Sequence, residues 1–380
     1  MVIDNITIIT SILVLLLTIL SVTSNPFFRA IKVNMRKEED NNELPPITIV
    51  VLSQNDAEAL DRHLPLLLSQ DYTPGFEVVV VGEKGDLELE SVIGKYASNK
   101  NLYSTYIPIR SLFMSKPKLC ASLGIKAAHN EWVIMLNASY APASDKWLQT
   151  MAENIHDNTN LVIGYSNYKE DVKAYRRFIR LRKACYYLRQ VSRGMAYRST
   201  GANIAFKRSE FIGKDGYRGN LQHVYGEYDF IINKFAKPKS SVISLDTNSF
   251  LRQDCPTKKS WKEFCLANSQ VGCHLQRRVT MRLTYILDTF LMYLNYVILI
   301  AIGIYSGLTS RWISLAIAVV CFITTVLLRT LLVKRKCSVF NEHISAWSIP
   351  FYEISLLWFD MLTKLRYIRA DKHDFSTHKI

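Results

Sequence analysis

The sequence contains few of the patterns that build disulfide frameworks or zinc centres. Its seven cysteines are an odd number, and none of them occurs in a CxxC pair or at a Cys/His ligand spacing. A disulfide-stapled secreted fold and a zinc module are therefore not expected. We predict reduced thiols that mostly act as small buried hydrophobic side chains.

Acidic residues are scarce relative to basic ones, since 33 Asp and Glu stand against 47 Lys and Arg. The resulting net charge of +14 is compatible with nucleic-acid binding, but 49% of the residues are hydrophobic and they are concentrated in long runs. Basic residues flank those runs, as expected for a membrane protein that meets an anionic leaflet. We therefore expect no nucleic-acid partner.

Three segments are long and apolar enough to cross a bilayer. They are residues 6–22, 290–308 and 312–332, and the short link 309–311 joins the last two into a hairpin. The first lacks the basic start and the cleavage site of a signal peptide, so we expect an anchor. By the positive-inside rule, the long central region and the C-terminus face the cytoplasm. The sequence predicts a multi-pass protein of the inner (cytoplasmic) membrane.

Composition divides the chain into five predicted parts. They are an N-terminal transmembrane anchor (1–24), a charged linker (25–46), a cytoplasmic domain (47–276), a transmembrane hairpin (277–335) and an interfacial amphipathic C-terminal region (336–380).

Short β-branched runs alternate with helical ones in the central region. Residues 47–52 and 76–81 have the pattern of buried strands, and leucines recur at helical spacing in 57–69. This alternation is typical of an α/β fold with a mainly parallel sheet. Because ligands bind at the carboxyl ends of such strands, the loops after 52, 81 and 136 are expected to meet at one site.

The order of these pieces resembles family 2 glycosyltransferases of the GT-A fold, in particular bacterial membrane-anchored members. The likeness runs from residue 47 to about 261 and is carried by ITIVVLSQNDAEALDRHLPLLLSQDYTPGFEVVVV, KPKLCASLGIKAAHNEWVIMLNASYAPASDKWLQTM, STGANIAFKRSEFIGKDGY and GEYDFIINKFA. It implies a nucleotide-sugar-binding, Rossmann-like domain with one N-terminal and about two C-terminal transmembrane helices. It also implies inverting transfer of a sugar to a cytoplasmic-face acceptor, such as a lipid-linked glycan, in surface glycan synthesis.

The resemblance assigns donor-binding roles to residues that follow the strands or begin the next helix. These residues are Ser53, Asn55, Glu83, Lys118 and Asn137. The family's acidic pair after the second strand keeps only Glu83, because its other position is Gly82, and we expect Lys84 to compete for Glu83. A solvated loop acid remains the alternative for Glu83, and a surface lysine the alternative for Lys118.

The metal motif of the family corresponds to Asn137 and Ser139, where two aspartates are usual. An amide and a hydroxyl bind Mg²⁺ or Mn²⁺ much more weakly than carboxylates do. Asn137 and Ser139 are therefore only weak candidate metal ligands, and metal dependence is in doubt.

The acidic cluster that supplies the family's catalytic base corresponds to GEYD, residues 226–229. Tyr228 occupies the expected position of the base. We predict Asp229 as the base and Glu227 as the second candidate, with an N-terminal helix cap as the alternative role of Asp229. The acceptor-binding stretch 261–271 lacks the family's arginine. Arg277 or Arg278 is a candidate substitute, but interfacial basic residues before a membrane span are the commoner explanation for both.

Two functions remain open at this stage. The first is an active glycosyltransferase with a nucleotide sugar and a membrane lipid or lipid-linked glycan as partners. The second is a catalytically impaired relative that binds glycan-assembly proteins as a subunit. A transporter is less expected, because residues 291–308 hold no ionisable side chain.

Overall fold

The computed structural model describes residues 4–32, 43–109, 114–276 and 279–376. Within them the chain forms two compact units. The first comprises Met1–Ala30, Ala174–Tyr186 and Arg277–Leu362, and the second comprises Ile31–Lys173, Tyr187–Gln276 and Thr363–Ile380. Part of the predicted linker, residues 33–42, lies outside the described residues, as do Arg277 and Arg278.

The helices of the described chain are α1 (Asn5–Ser24), α2 (Ala57–Leu68), α3 (Leu87–Lys95), α4 (Lys116–Ala127), α5 (Trp147–Ala152), α6 (Ala174–Ser192), α7 (Arg208–Gly213), α8 (Glu227–Phe235), α9 (Lys258–His274), α10 (Val279–Leu308), α11 (Trp312–Val339) and α12 (Ile349–Arg369). The strands are β1 (Ile47–Leu52), β2 (Phe76–Glu83), β3 (Leu102–Ile107), β4 (Trp132–Asn137), β5 (Tyr140–Pro142), β6 (Leu161–Gly164), β7 (Ser166–Tyr168), β8 (Ile204–Lys207), β9 (Ser241–Ser244) and β10 (Leu251–Gln253).

A seven-stranded sheet with the order β3-β2-β1-β4-β8-β6-β9 forms the core of the second unit. Strands β3, β2, β1 and β4 are parallel, whereas β8 runs antiparallel to both β4 and β6. Every residue of β1 is buried, as a central parallel strand requires. The predicted α/β fold with a mainly parallel sheet is therefore confirmed.

The register of this sheet aligns the carboxyl ends of its central strands. Leu52 pairs with Val81 on one side and with Asn137 on the other. A second sheet, β5-β10-β7, begins just after this edge, because β5 follows β4 within a few residues. The two sheets together place the ends of β1, β2 and β4 beside the start of β5.

Helices dominate the first unit. Three of them, α1, α10 and α11, are long and apolar enough to cross a membrane, in agreement with the three predicted segments. The Arg311 guanidinium lies 2.8 Å from the Asp4 carboxylate, so the start of α1 and the link between α10 and α11 lie at the same end of these helices. This is the arrangement expected of an N-terminal anchor and a hairpin when the start of the anchor and the link of the hairpin lie on the same side of a membrane.

A chain of four alternating charges lies buried in this unit. Arg329 of α11 donates to Glu353 over 2.9 and 3.0 Å and lies 3.4 Å from Asp288, which also accepts from Arg182 over 2.7 Å. Arg329 lies inside the predicted span 312–332, so the hairpin does contain an ionisable group. Each charge has an opposite neighbour, which is how buried ions are tolerated.

Helix α6 is rich in basic residues. Three of its arginines, Arg177, Arg180 and Arg182, are buried. These three side chains therefore do not form an exposed basic face of the kind that attracts an anionic leaflet.

Candidate functional site

The loop between β1 and α2 is the first part of the predicted donor site. Ser53 directly follows β1, and its backbone N–H donates to the carbonyl of Val81 over 2.9 Å. Its side chain is buried, and its hydroxyl has no hydrogen-bond partner in the described part of the chain. Asn55 adopts a left-handed φ of 55°, which turns the chain into α2. A buried hydroxyl without a partner at a strand end suits a ligand that supplies one.

Glu83, at the end of β2, has a different partner from the predicted one. Its carboxylate lies 2.6 Å from the ammonium of Lys116, so Lys116 and not Lys84 holds it. The side chain of Glu83 is 23% exposed, so this acid is partly in contact with solvent and ion-paired with Lys116. At Gly82, a Cβ atom would lie 1.9 Å from Cδ2 of the buried Leu89.

Lys118 on α4 points inward. It is fully buried, and its ammonium donates to the carbonyls of Asn220 and His223 over 2.7 and 2.5 Å. The nitrogen also lies 4.7 Å from the centre of the Phe230 ring. Burial lowers the pKa of Lys118 to about 8. The surface-lysine alternative is wrong, and the ammonium holds the loop that leads into α8.

Asn137, at the end of β4, is bound by a side chain from α8. The Tyr228 hydroxyl donates to Oδ1 of Asn137. Burial raises the pKa of Tyr228 well above its usual value, so this hydroxyl stays protonated and acts as the donor. The structure thus brings together the predicted metal position and the predicted position of the base.

A divalent cation does not fit these residues. One of the two side-chain oxygens proposed as ligands, Oδ1 of Asn137, already accepts a hydrogen bond, and neither Asn137 nor Ser139 carries a negative charge. The backbone of Ser139 is tied to Asp254, whose N–H donates to the Ser139 carbonyl over 3.0 Å. In the described residues no group of three His, Cys, Asp or Glu side chains is placed to hold a metal.

Asp254 is a carboxylate beside this segment that the sequence analysis missed. Two cations and a histidine lie beside it, with Lys169 at 2.5 Å, Arg62 at 3.1 Å and His63 at 3.3 Å. Burial tends to raise the pKa of Asp254, but these neighbours, and first of all the hydrogen bond from Lys169, outweigh burial and lower the pKa. Its charge is thus already matched within the protein.

Asp229, the predicted base, forms a buried ion pair. Nε of Arg198 donates to its carboxylate over 2.9 Å, and the backbone N–H of Ser199 lies 3.4 Å away. Arg198 also donates to the carbonyl of Asn268 on α9 over 3.2 Å. The N-cap of α8 is Gly226, so the capping role considered for Asp229 is wrong. Sequence reasoning missed Arg198, which comes from the loop between α6 and β8.

Glu227, the first residue of α8, lines an open pocket. The pocket walls come from Ser199, Thr200, Gly201, Tyr225, Gly226, Tyr228, Asp229, Phe264, Ala267, Asn268 and Val271. Burial raises the pKa of Glu227, and the negative charge of Asp229 adds to this effect. A carboxylate with a raised pKa beside a pocket can accept a proton from a hydroxyl held there. This geometry favours Glu227 over Asp229 as the base.

No protein-family model matches the sequence, and no curated protein matches it significantly. Among solved structures, the mannosyltransferase PcManGT from Pyrobaculum calidifontis, in complex with GDP-Man and Mn²⁺, superimposes with a TM-score of 0.52 at 13% identity, over 84% of this chain and 97% of that chain. TarS of S. aureus superimposes with a TM-score of 0.40 at 13% identity, over 61% of this chain and 40% of TarS. Residues 1–349 of TarS in complex with UDP-GlcNAc give a TM-score of 0.41 at 11% identity, over 82% of this chain and 91% of that chain. The likeness to PcManGT confirms the predicted glycosyltransferase fold.

Proposed function

We propose that the protein is a membrane-anchored glycosyltransferase of the GT-A type and of family 2. It transfers a sugar from a nucleotide-sugar donor to an acceptor hydroxyl at the cytoplasmic face, where a lipid-linked glycan is the expected acceptor. One observation carries this proposal: the Glu227 carboxylate lines a pocket in a domain with a glycosyltransferase fold, and burial raises its pKa. The strand order, in which antiparallel β8 interrupts the parallel sheet, supports the GT-A assignment.

The proposed reaction is a single inverting displacement. The acceptor oxygen forms a bond to the anomeric carbon while the bond between that carbon and the diphosphate oxygen breaks. Glu227 takes the acceptor proton, and the bonding electrons leave with the nucleoside diphosphate. Asp229 orients the start of α8 through Arg198. No step depends on a metal, because the residues at 137 and 139 do not fit one.

The donor site is proposed at the carboxyl edge of the main sheet. Ser53 and Asn55 lie on the loop after β1, and Glu83 is the last residue of β2, where a nucleotide would lie in such a fold. The unpartnered hydroxyl of Ser53 supports this placement. Lys118 contributes indirectly, because its ammonium is directed to backbone carbonyls.

A binding or assembly subunit is the second candidate, and one observation favours it. The polar groups that would meet a donor are already paired within the protein: Asn137 with Tyr228, Glu83 with Lys116 and Asp229 with Arg198. Such a subunit would keep the fold while its partners in glycan assembly carried out the chemistry.

The full chain, purified in detergent, can be titrated with GDP- and UDP-sugars with and without Mn²⁺, following heat release and free nucleotide. Donor binding with slow release of nucleotide, abolished in Glu227→Gln, would support the transferase. Binding without turnover, unchanged in Glu227→Gln and Asp229→Asn, would support the subunit. If no donor binds, the proposed transferase is wrong.

A further inference from the structure

The loop that precedes Glu227 is shaped by two glycines. Gly219 and Gly226 have φ values of 92° and 96°, in the left-handed region that favours glycine. A Cβ atom on Gly226 would lie 2.8 Å from the Phe230 ring and 3.0 Å from Val271. The loop between these glycines, residues 220–225, therefore determines where α8 begins and where Glu227 stands.

One peptide group in this loop is held from two distant parts of the chain. The carbonyl of His223 accepts from the ammonium of Lys118 over 2.5 Å. The N–H of the same peptide, on Val224, donates to the carbonyl of Phe375 over 3.0 Å. His223 also pairs with Ser376 in an antiparallel β-bridge. Both polar ends of a peptide three residues before Glu227 are thus fixed by tertiary contacts.

The Phe375 ring anchors the C-terminal side of this contact. It is 7% exposed, and its centre lies 6.3 Å from the ring of Tyr225 and 5.9 Å from that of Tyr367. Burying an aromatic ring is strongly favoured over leaving it in water. The Phe375 ring therefore holds this short segment against the loop.

We propose that residues 372–376 form a strap that fixes the loop 220–225, and that Phe375 is a positioning residue for Glu227. The positioning role of Phe375 rests on the proposed function, in which Glu227 is the base. The ordering of the loop 220–225 by the strap follows from the contacts described above and does not depend on that function. The segment keeps the start of α8 in one place, so the carboxylate faces the pocket before any acceptor arrives.

Amide hydrogen exchange on the full chain in detergent tests the strap directly. In the wild type we expect the Val224 amide to be protected, and in Phe375→Ala we expect amides of 220–225 to exchange about 10-fold faster or more. Phe375→Leu, which keeps an apolar side chain, should restore most of the protection. Asp374→Asn is the matched control, because Asp374 is exposed in the same segment and should leave exchange unchanged. The β1 amides report whether the domain remains folded.

Sugar transfer measured on the same samples separates the two proposals. We expect Phe375→Ala to lower kcat about 10-fold while the donor KM stays within about 2-fold, since donor contacts lie elsewhere. A wild-type Val224 amide that exchanges like an unstructured peptide, or unchanged loop exchange in a folded Phe375→Ala protein, would overturn the strap. A protein without transfer activity but with the expected exchange pattern would overturn the transferase and leave the strap standing.

Discussion

The hydroxyl of Tyr228 and the side-chain oxygen of Asn137 are joined by a hydrogen bond between the start of α8 and the end of β4. The tyrosine stays protonated because burial raises its pKa well above the usual value. The pair is neutral and includes one of the two positions considered as metal ligands. The Asn137 side chain therefore offers a divalent cation no negative charge, and its oxygen already accepts a hydrogen bond.

The first prediction is that two substitutions make nucleotide binding depend on Mn²⁺. Changing Asn137 and Ser139 to aspartate should make nucleoside diphosphate bind about 10-fold tighter with Mn²⁺ than with a chelator, because carboxylates are much better ligands for this ion. The wild type should bind equally in both conditions. Titration calorimetry measures the affinity for nucleoside diphosphate in the two conditions. The control is Ser98→Asp, which adds a carboxylate just before β3, at the amino end of the parallel strands. Loss of wild-type binding in the chelator would contradict the metal-free site.

Glu227→Gln should lower turnover about 100-fold or more while donor affinity is retained, as expected when a general base is removed. Burial raises the pKa of Glu227 above its ordinary value of 4.5. The base is inactive when protonated, so wild-type turnover should fall as the pH drops through that raised pKa. A pH profile of kcat checks this, and in the Gln variant the acidic limb should disappear. A fully active Gln variant would remove Glu227 from the mechanism.

Arg198→Met should destabilise the protein by about 3–5 kcal/mol, because it leaves the carboxylate of Asp229 buried and unmatched by its main cation. Thermal unfolding in detergent measures the loss. The double change Arg198→Met with Asp229→Leu should recover much of it, since removing both charges avoids the unpaired one. If Arg198→Met melts at the wild-type temperature, the ion pair contributes nothing to stability.

The charge chain in the helical unit allows a matched pair of variants. Arg329→Met should lower the unfolding temperature clearly, with a cost of about 3–5 kcal/mol from the stranded Glu353. Adding Glu353→Met should restore stability, because Asp288 keeps its bond to Arg182. Arg335→Met, an exposed position on the same helix, is the control. Equal stability of the single and double variants would show that the charges are not coupled.

Thiol labelling tests the proposed orientation. The exposed Cys255 and Cys273 should react with a membrane-impermeant maleimide only after the cells are opened. A cysteine placed at Thr309, in the link between α10 and α11, should react in intact cells. The basic residues beside the opposite ends of these two helices are expected to keep those ends in the cytoplasm, which leaves the link outside. The reverse pattern of labelling would invert the proposed topology.

Local patterns made the elements predictable. The leucines of α2 recur at helical spacing, and Leu60, Leu64 and Leu67 are indeed buried. The three long apolar helices were equally visible, since length and composition alone define them.

The pairings at the site were not predictable in the same way. Arg198 reaches Asp229 across 31 positions, and Lys118 reaches the carbonyl of His223 across 105. A lysine in a sequence gives no sign that the fold will bury it, because only the assembled loop supplies the carbonyls that compensate for its burial. Both Glu227 and Asp229 line the pocket, and the long-range partner Arg198 pairs with only one of them, Asp229.

The contact between Gly82 and Leu89 has a consequence for engineering an acidic side chain at position 82. A Cβ atom there would lie 1.9 Å from Cδ2 of the buried Leu89, so the leucine side chain would have to shift or be replaced by a smaller one. Replacing Leu89 alone would cost about 2–5 kcal/mol by leaving a cavity. The two positions are therefore best changed together, in a double mutant whose new side chain fills the space that the smaller residue leaves.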